Sequence, residues 1–201
     1  MRHHSGVLAL LAAFALMAGY PPPSSQGLRP ANGYSWMCED SPTGCGHIPS
    51  RLRRPLHLPT LAPGEPCPVS QWHPSTGPFG AGLGTGPAQP VGFKSDSSLD
   101  FVFGDPNLTP PPWRGQKVLW ARAPSYRGPL LIRGHQLDGT WWVGFEYGQP
   151  LQELQIRPLP ASVKGWQGLP TATRIRSAGC YAYQVDGTTF SRVIVFRANV
   201  P

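Results

Sequence analysis

Between residues 173 and 198 the chain reads TRIRSAGCYAYQVDGTTFSRVIVFRA, and apolar and polar positions alternate. Tyr181, Tyr183 and Val185 interleave with Ala182, Gln184 and Asp186. A two-residue period of this kind is that of a strand with one face buried. Asp186-Gly187-Thr188 is a turn signal, with Gly187 free to take φ > 0. Residues 190–196, rich in Val, Ile and Phe, supply a second strand. An isolated hairpin is marginal in water, so this one has to pack on a sheet built upstream.

Shorter signals of the same type precede it. Residues 99–103 (LDFVF) read as a strand, and 117–123 (KVLWARA) alternate with Val118 and Trp120 on one face. Residues 130–136 follow a turn at 125–128. Asp138-Gly139 is a hairpin signal leading into 141–147 (WWVGFEY), and 151–156 (LQELQI) alternate again. Residues 77–90 read as a Gly-rich loop or irregular edge, 161–170 as a loop carrying Trp166, and 171–176 as the start of the final run. About eight strands punctuated by turns predict an all-β antiparallel sandwich.

Three segments follow from the change of pattern. Residues 1–20 have a positive start and an apolar run followed at once by three prolines, the layout of a secretory signal peptide. No A-x-A stands at the expected cleavage position, which leaves open an uncleaved N-terminal anchor. Residues 21–64 form an irregular Pro/Gly/Ser-rich arm, expected to be flexible, and 65–201 form the sandwich domain. Gly (24) and Pro (26) approach low-complexity levels, but seven Trp, eight Phe and six Tyr argue for a packed core.

The formal net charge is +7, carried mainly by scattered arginines. Only 51–54 (RLRR) form a cluster, so a specific nucleic-acid partner is not expected. The Gly-rich stretch 77–90 lacks G-x-x-x-x-G-K-[ST] spacing and no helical pattern follows it, which argues against a nucleotide site. Four cysteines, Cys38, Cys45, Cys67 and Cys180, favour disulfides in an oxidising compartment. Of the three pairings, Cys67–Cys180 with Cys38–Cys45 is preferred. Parity places Cys180 on the face opposite Tyr181 and Tyr183, so its bridge is peripheral.

Residues 178–183 (AGCYAY) resemble the entry to a late strand of immunoglobulin-like domains. The resemblance implies that the Tyr181 hydroxyl folds back onto upstream backbone and that Trp120 is a core residue. The family's inter-sheet bridge would place a Cys where Tyr183 stands. Residues 113–198, through RGHQLDG at 133–139 and GCYAYQVDGTTFS at 179–191, also resemble a group of uncharacterised secreted bacterial proteins. That second resemblance carries no activity.

Catalytic patterns are sparse. A Cys180–His135 dyad is conceivable, but a disulfide would consume the thiol. The cysteines and His47 and His73 match no paired zinc-ligand spacing, and no metal or cofactor is expected. Asp138, Glu146 and Glu153 are the acids that could be proposed as a pair for glycoside hydrolysis, and Asp138 is accounted for by its turn. Tyr126, Arg133, His135, Asp138 and Trp142 are the candidate ligand-binding residues, with the Arg133 face directed to solvent. Trp141 and Trp142 point to opposite faces. The reading is a secreted, non-catalytic binding or adhesion module at the cell surface, for glycan or protein. Its alternatives are an extracytoplasmic hydrolase or transpeptidase-like enzyme and a purely structural domain.

Overall fold

The computed structural model describes residues 48–102, 112–146 and 150–201. Residues 1–20, Cys38, Cys45, His47, Tyr147 and most of the arm lie outside them. Among the described residues eleven strands build two sheets: β1 (Trp72–His73), β2 (Gly82–Leu83), β3 (Ala88–Val91), β4 (Ser98–Asp100), β5 (Arg114–Arg122), β6 (Leu130–Gln136), β7 (Gly144–Phe145), β8 (Glu153–Ile156), β9 (Gln167–Ile175), β10 (Gly179–Asp186) and β11 (Ser191–Asn199). One sheet has the order β1-β2-β3-β5-β9-β7, the other β4-β11-β10-β6-β8. All pairings are antiparallel except β11 with β4.

The expected final hairpin is β10–β11, in register from Gly179↔Ala198 to Asp186↔Ser191. Its parity sets the sandwich. Tyr181, Tyr183 and Val185 are fully buried between the sheets with Trp120, Leu130, Ile132, Phe145, Ile194 and Phe196. Tyr183 stacks on Phe196 with ring centroids 4.7 Å apart, and Trp120 meets Tyr183 edge-on at 5.3 Å. Burial raises the Tyr183 phenol well above its ordinary pKa, against a hydrogen bond to Thr173 Oγ1 at 3.0 Å. The turn itself differs from expectation. Gly187 is not among the glycines with positive φ. It is required by close approach, since a Cβ there would lie 2.7 Å from Phe190 Cζ and 2.8 Å from Tyr126 Oη.

Residues 141–147 were expected to be one strand, but the chain changes sheets within them. Trp142 bridges His135 and Val143 N donates to Gly134 O, closing a hairpin onto β6. Gly144 and Phe145 then pair with β9 in the opposite sheet. Gly144 allows the crossing because a side chain there would meet Pro150 Cβ at 2.8 Å and Arg174 Cβ at 2.9 Å. The stretch at 77–90, expected as a Gly-rich loop or irregular edge strand, contains a short 3-10 turn (Gly77–Phe79), β2 and most of β3. β9 starts four residues before the run that its pattern predicts.

The arm is seated from residue 48 onward, and this corrects the solvent-directed reading of the Arg133 face. Leu52 is fully buried against Leu131 and Ile48 on the outer side of β6. Leu58 and Leu61 pack against Cys180, Ala182 and Val195 on the outer side of β10 and β11. Cys67 bonds Cys180 here, 113 residues away in sequence. The bridge lies on the outer face, as parity required. An oxidising, extracytoplasmic compartment favours such a bond.

Candidate functional site

The five candidate residues do not form one surface. Tyr126 is buried, donating from its hydroxyl to Pro129 O at 2.6 Å and accepting from Thr188 N at 2.9 Å. Its ring meets Phe190 edge-on at 5.0 Å. Arg133 is half-buried beneath the arm, donating to Asp186 Oδ2 at 2.9 Å. Both were expected at the surface, and packing partners distant in sequence draw them in.

Asp138, His135 and Trp142 do share one end of the sandwich. Asp138 occupies the turn after β6. Its Oδ2 accepts from Cys180 N at 2.9 Å, and its Oδ1 accepts from Gln136 Nε2 at 3.0 Å. This carboxylate therefore clamps the turn to the start of β10. Gly179 leaves it room: a Cβ would stand 2.6 Å from Asp138 Oδ1, and its φ is +153°. His135 Nδ1 lies 2.8 Å from Gln136 O. Ser177 Oγ donates to Gln136 Oε1 at 3.3 Å. Beneath, Tyr181 Oη donates to Ser177 O at 2.9 Å, and burial, with the Asp138 charge adding to it, raises the phenol above its ordinary pKa.

Beside this polar group stands an aromatic stack that the sequence did not reveal. Trp142 packs on Trp113 with ring centroids 4.6 Å apart. The Arg176 guanidinium lies 4.8 Å from the Trp113 ring and 4.3 Å from the Trp141 ring, within cation–π range of both. Trp113 is buried, but Trp141 remains 38% exposed. Trp113 sits just after a proline run that reads as linker, and Arg176 directly follows β9 at the start of the connection to β10. Neither gives a local signal, because the stack is assembled from three separate connections.

On the other side of Asp138 opens a cleft of about 400 Å³, lined by Leu61, Glu65, Cys67, Asp138, Arg197 and Asn199 among others. The end of the sandwich thus combines an exposed indole, a guanidinium, a carboxylate and amide groups. Such a set can stack on a ring and hydrogen-bond to hydroxyls. Cys180 is joined to Cys67, so a thiolate nucleophile would require reduction of that bond. Among the described residues no three His, Cys, Asp or Glu side chains gather in a metal-binding group, and no helix is long and apolar enough to cross a membrane. Comparison with family models, with curated proteins and with solved structures yields no match.

Proposed function

We propose that the chain is a secreted, non-catalytic binding module of immunoglobulin-like type that binds a glycan at the cell surface. The observation that carries this reading is Trp141, exposed at the sandwich end with the Arg176 guanidinium 4.3 Å from its ring and Asp138 three residues away in the same turn. An exposed indole offers a flat face to the C–H side of a sugar, and neighbouring charged and amide groups offer partners for its hydroxyls. The signal-like pattern of residues 1–20 and the Cys67–Cys180 bond support secretion.

Sheet order supports the immunoglobulin-like part. β3-β5-β9-β7 follow the A-B-E-D pattern and β11-β10-β6 the G-F-C pattern of that fold. The Tyr181 hydroxyl returns to Ser177 O, as in a tyrosine corner. Two departures stand beside this. β7, in the D position, precedes β8 in the chain, and Trp120 lies on the B-like strand instead of the C-like one. Trp120 and Tyr183 stand on the two strands that carry the inter-sheet bridge in antibody domains.

The test is a direct binding measurement of the full chain against soluble cell-wall saccharides and neutral and acidic glycan polymers. Binding is expected to at least one, lost in Trp141→Ala while the thermal midpoint is retained. Absence of binding to every saccharide, or binding that Trp141→Ala leaves intact, rejects the glycan reading.

A further inference from the structure

Among the described residues the Arg176 guanidinium is held by aromatic rings alone. It lies 4.8 Å from the Trp113 ring and 4.3 Å from the Trp141 ring. An indole offers a cation its π face but no lone pair, so these contacts answer the charge and leave the N–H groups without an acceptor. No hydrogen bond or ion pair engages Arg176 among the described residues, and its Nε is buried.

The other arginines withdrawn from solvent are served differently. Arg54 and Arg133 reach Asp186. Arg122 donates to Gly128 O and Arg157 O, and Arg127 to Val163 O. Asp138, the acid at this end of the sandwich, does not serve Arg176. Its Oδ1 accepts from Gln136 Nε2 and its Oδ2 from Cys180 N. A guanidinium partly removed from water, with no protein acceptor, holds its donors ready for an incoming oxygen.

Shape narrows what that oxygen belongs to. The planar fork of a guanidinium presents parallel N–H groups along its edge, which match the two oxygens of a carboxylate. Beside it stands Trp141, 38% exposed and able to stack on a sugar. Arg176 itself covers part of that ring, so one sugar cannot stack there and also present its own carboxylate to the guanidinium edge. The stacked sugar takes the exposed remainder of the indole, and the carboxylate comes from the sugar next to it. The net charge of +7 draws in any polyanion from a distance but does not select one.

We infer that the glycan is an acidic oligosaccharide of at least two sugars, with the carboxylate of one uronic acid bound by Arg176 while its neighbour stacks on Trp141. This inference rests on the glycan reading above, and the experiment lets the two fail separately.

The probes are oligosaccharides of hyaluronan, alginate and polygalacturonate, each as the free acid and as its methyl ester. The free uronic acids and dextran sulfate accompany them. Calorimetric titration of the full chain is expected to show at least one acid binding at least about tenfold tighter than its ester and its monosaccharide. Arg176→Gln should abolish the preference for the acid. Arg176→Lys, which keeps the charge but not the fork, should weaken it. Arg192→Gln removes an exposed charge on β11 and should change the affinity by less than about twofold. Thermal midpoints check that the variants fold, and the comparison of acid with ester needs no variant.

Equal binding of acid and ester, both lost in Trp141→Ala, overturns the carboxylate inference and leaves the glycan reading standing. So does binding of a neutral glycan alone. Dextran sulfate bound as tightly as the acid, or equal losses in Arg176→Gln and Arg192→Gln, overturns the inference because net charge then explains the binding. A monosaccharide that binds as tightly as its oligomer overturns the two-sugar arrangement. Binding of no saccharide, acidic or neutral, rejects both readings.

Discussion

Tyr183 meets Trp120 edge-on, with ring centroids 5.3 Å apart and planes inclined at 72°, and this contact joins the two sheets at their centre. Both side chains are fully buried. The pair concentrates a large part of the inter-sheet contact in two residues, each of which buries on the order of 200 Å².

Tyr183 also makes stability depend on alkaline pH. Burial raises its phenol, so the folded chain keeps a proton that the unfolded chain releases near pH 10. Its contribution is fully present below that pH and lost as pH rises through it, at up to about 1.4 kcal/mol per pH unit. Arg122, which burial lowers to about 10, acts in the opposite direction above that pH. Tyr183→Phe should cost about 1 kcal/mol at pH 7 through the lost Thr173 hydrogen bond, and flatten the decline above pH 10. Urea unfolding from pH 8 to pH 11.5 reads both, and an unchanged slope in the variant would contradict the account.

The Cys67–Cys180 bond closes a separation of 113 residues. On the chain-entropy model its removal costs about 4–5 kcal/mol. Cys67→Ser with Cys180→Ser should therefore lower the denaturant midpoint sharply without changing the sheet signature in circular dichroism. A loss below about 1 kcal/mol would mean that the unfolded chain is already restricted by other means.

Gly187 and Gly64 separate two reasons for glycine. Gly187→Ala places a methyl against Phe190 and Tyr126 and should cost about 1–3 kcal/mol through overpacking. Gly64→Ala meets nothing within 4 Å, so its cost comes only from φ +80° and should be about 1 kcal/mol. Thermal melts of the two variants check the order. A neutral Gly187→Ala would remove the close-approach explanation.

Trp113 and Trp141 flank the same guanidinium but should respond differently. Trp113 is buried under Trp142, and Trp113→Ala should cost about 3–5 kcal/mol. Trp141 is partly exposed, and Trp141→Ala should cost about 1 kcal/mol or less, chiefly its share of the cation–π contact. Chemical denaturation of both proteins decides this. Comparable losses would mean that Trp141 belongs to the core and not to a binding surface.

Alternation along residues 181–186 was enough to specify β10 and its buried face, with Cys180 on the outward side, and the apolar run at 190–196 was enough to place β11 after a turn. β6 was equally legible from Leu130 to Gln136. A strand's two-residue period is a local property, so it survives in the linear text. The same logic misled where local pattern and global packing part. Residues 141–147 read as one strand after the Asp138-Gly139 signal, yet Gly144 lets the chain leave one sheet for the other. Arg133 has the parity of a solvent-facing residue, and its cover comes from residues about 80 positions earlier.

By itself the sequence determined the class: an all-β sandwich, a final hairpin with a buried tyrosine face, and a peripheral cysteine on that hairpin. The preferred Cys67–Cys180 pairing is the one the structure contains, but only the tertiary structure decided that residues 48–61 lie across β6 and β10, and that Trp113, Trp141 and Arg176 meet. Hydrogen-bond period and side-chain parity repeat over two residues and can be read in order. Contacts among residues 54, 133 and 186, or 113, 141 and 176, depend on which strands become neighbours. That choice is made by burying the whole apolar surface at once, and no short stretch of chain records it.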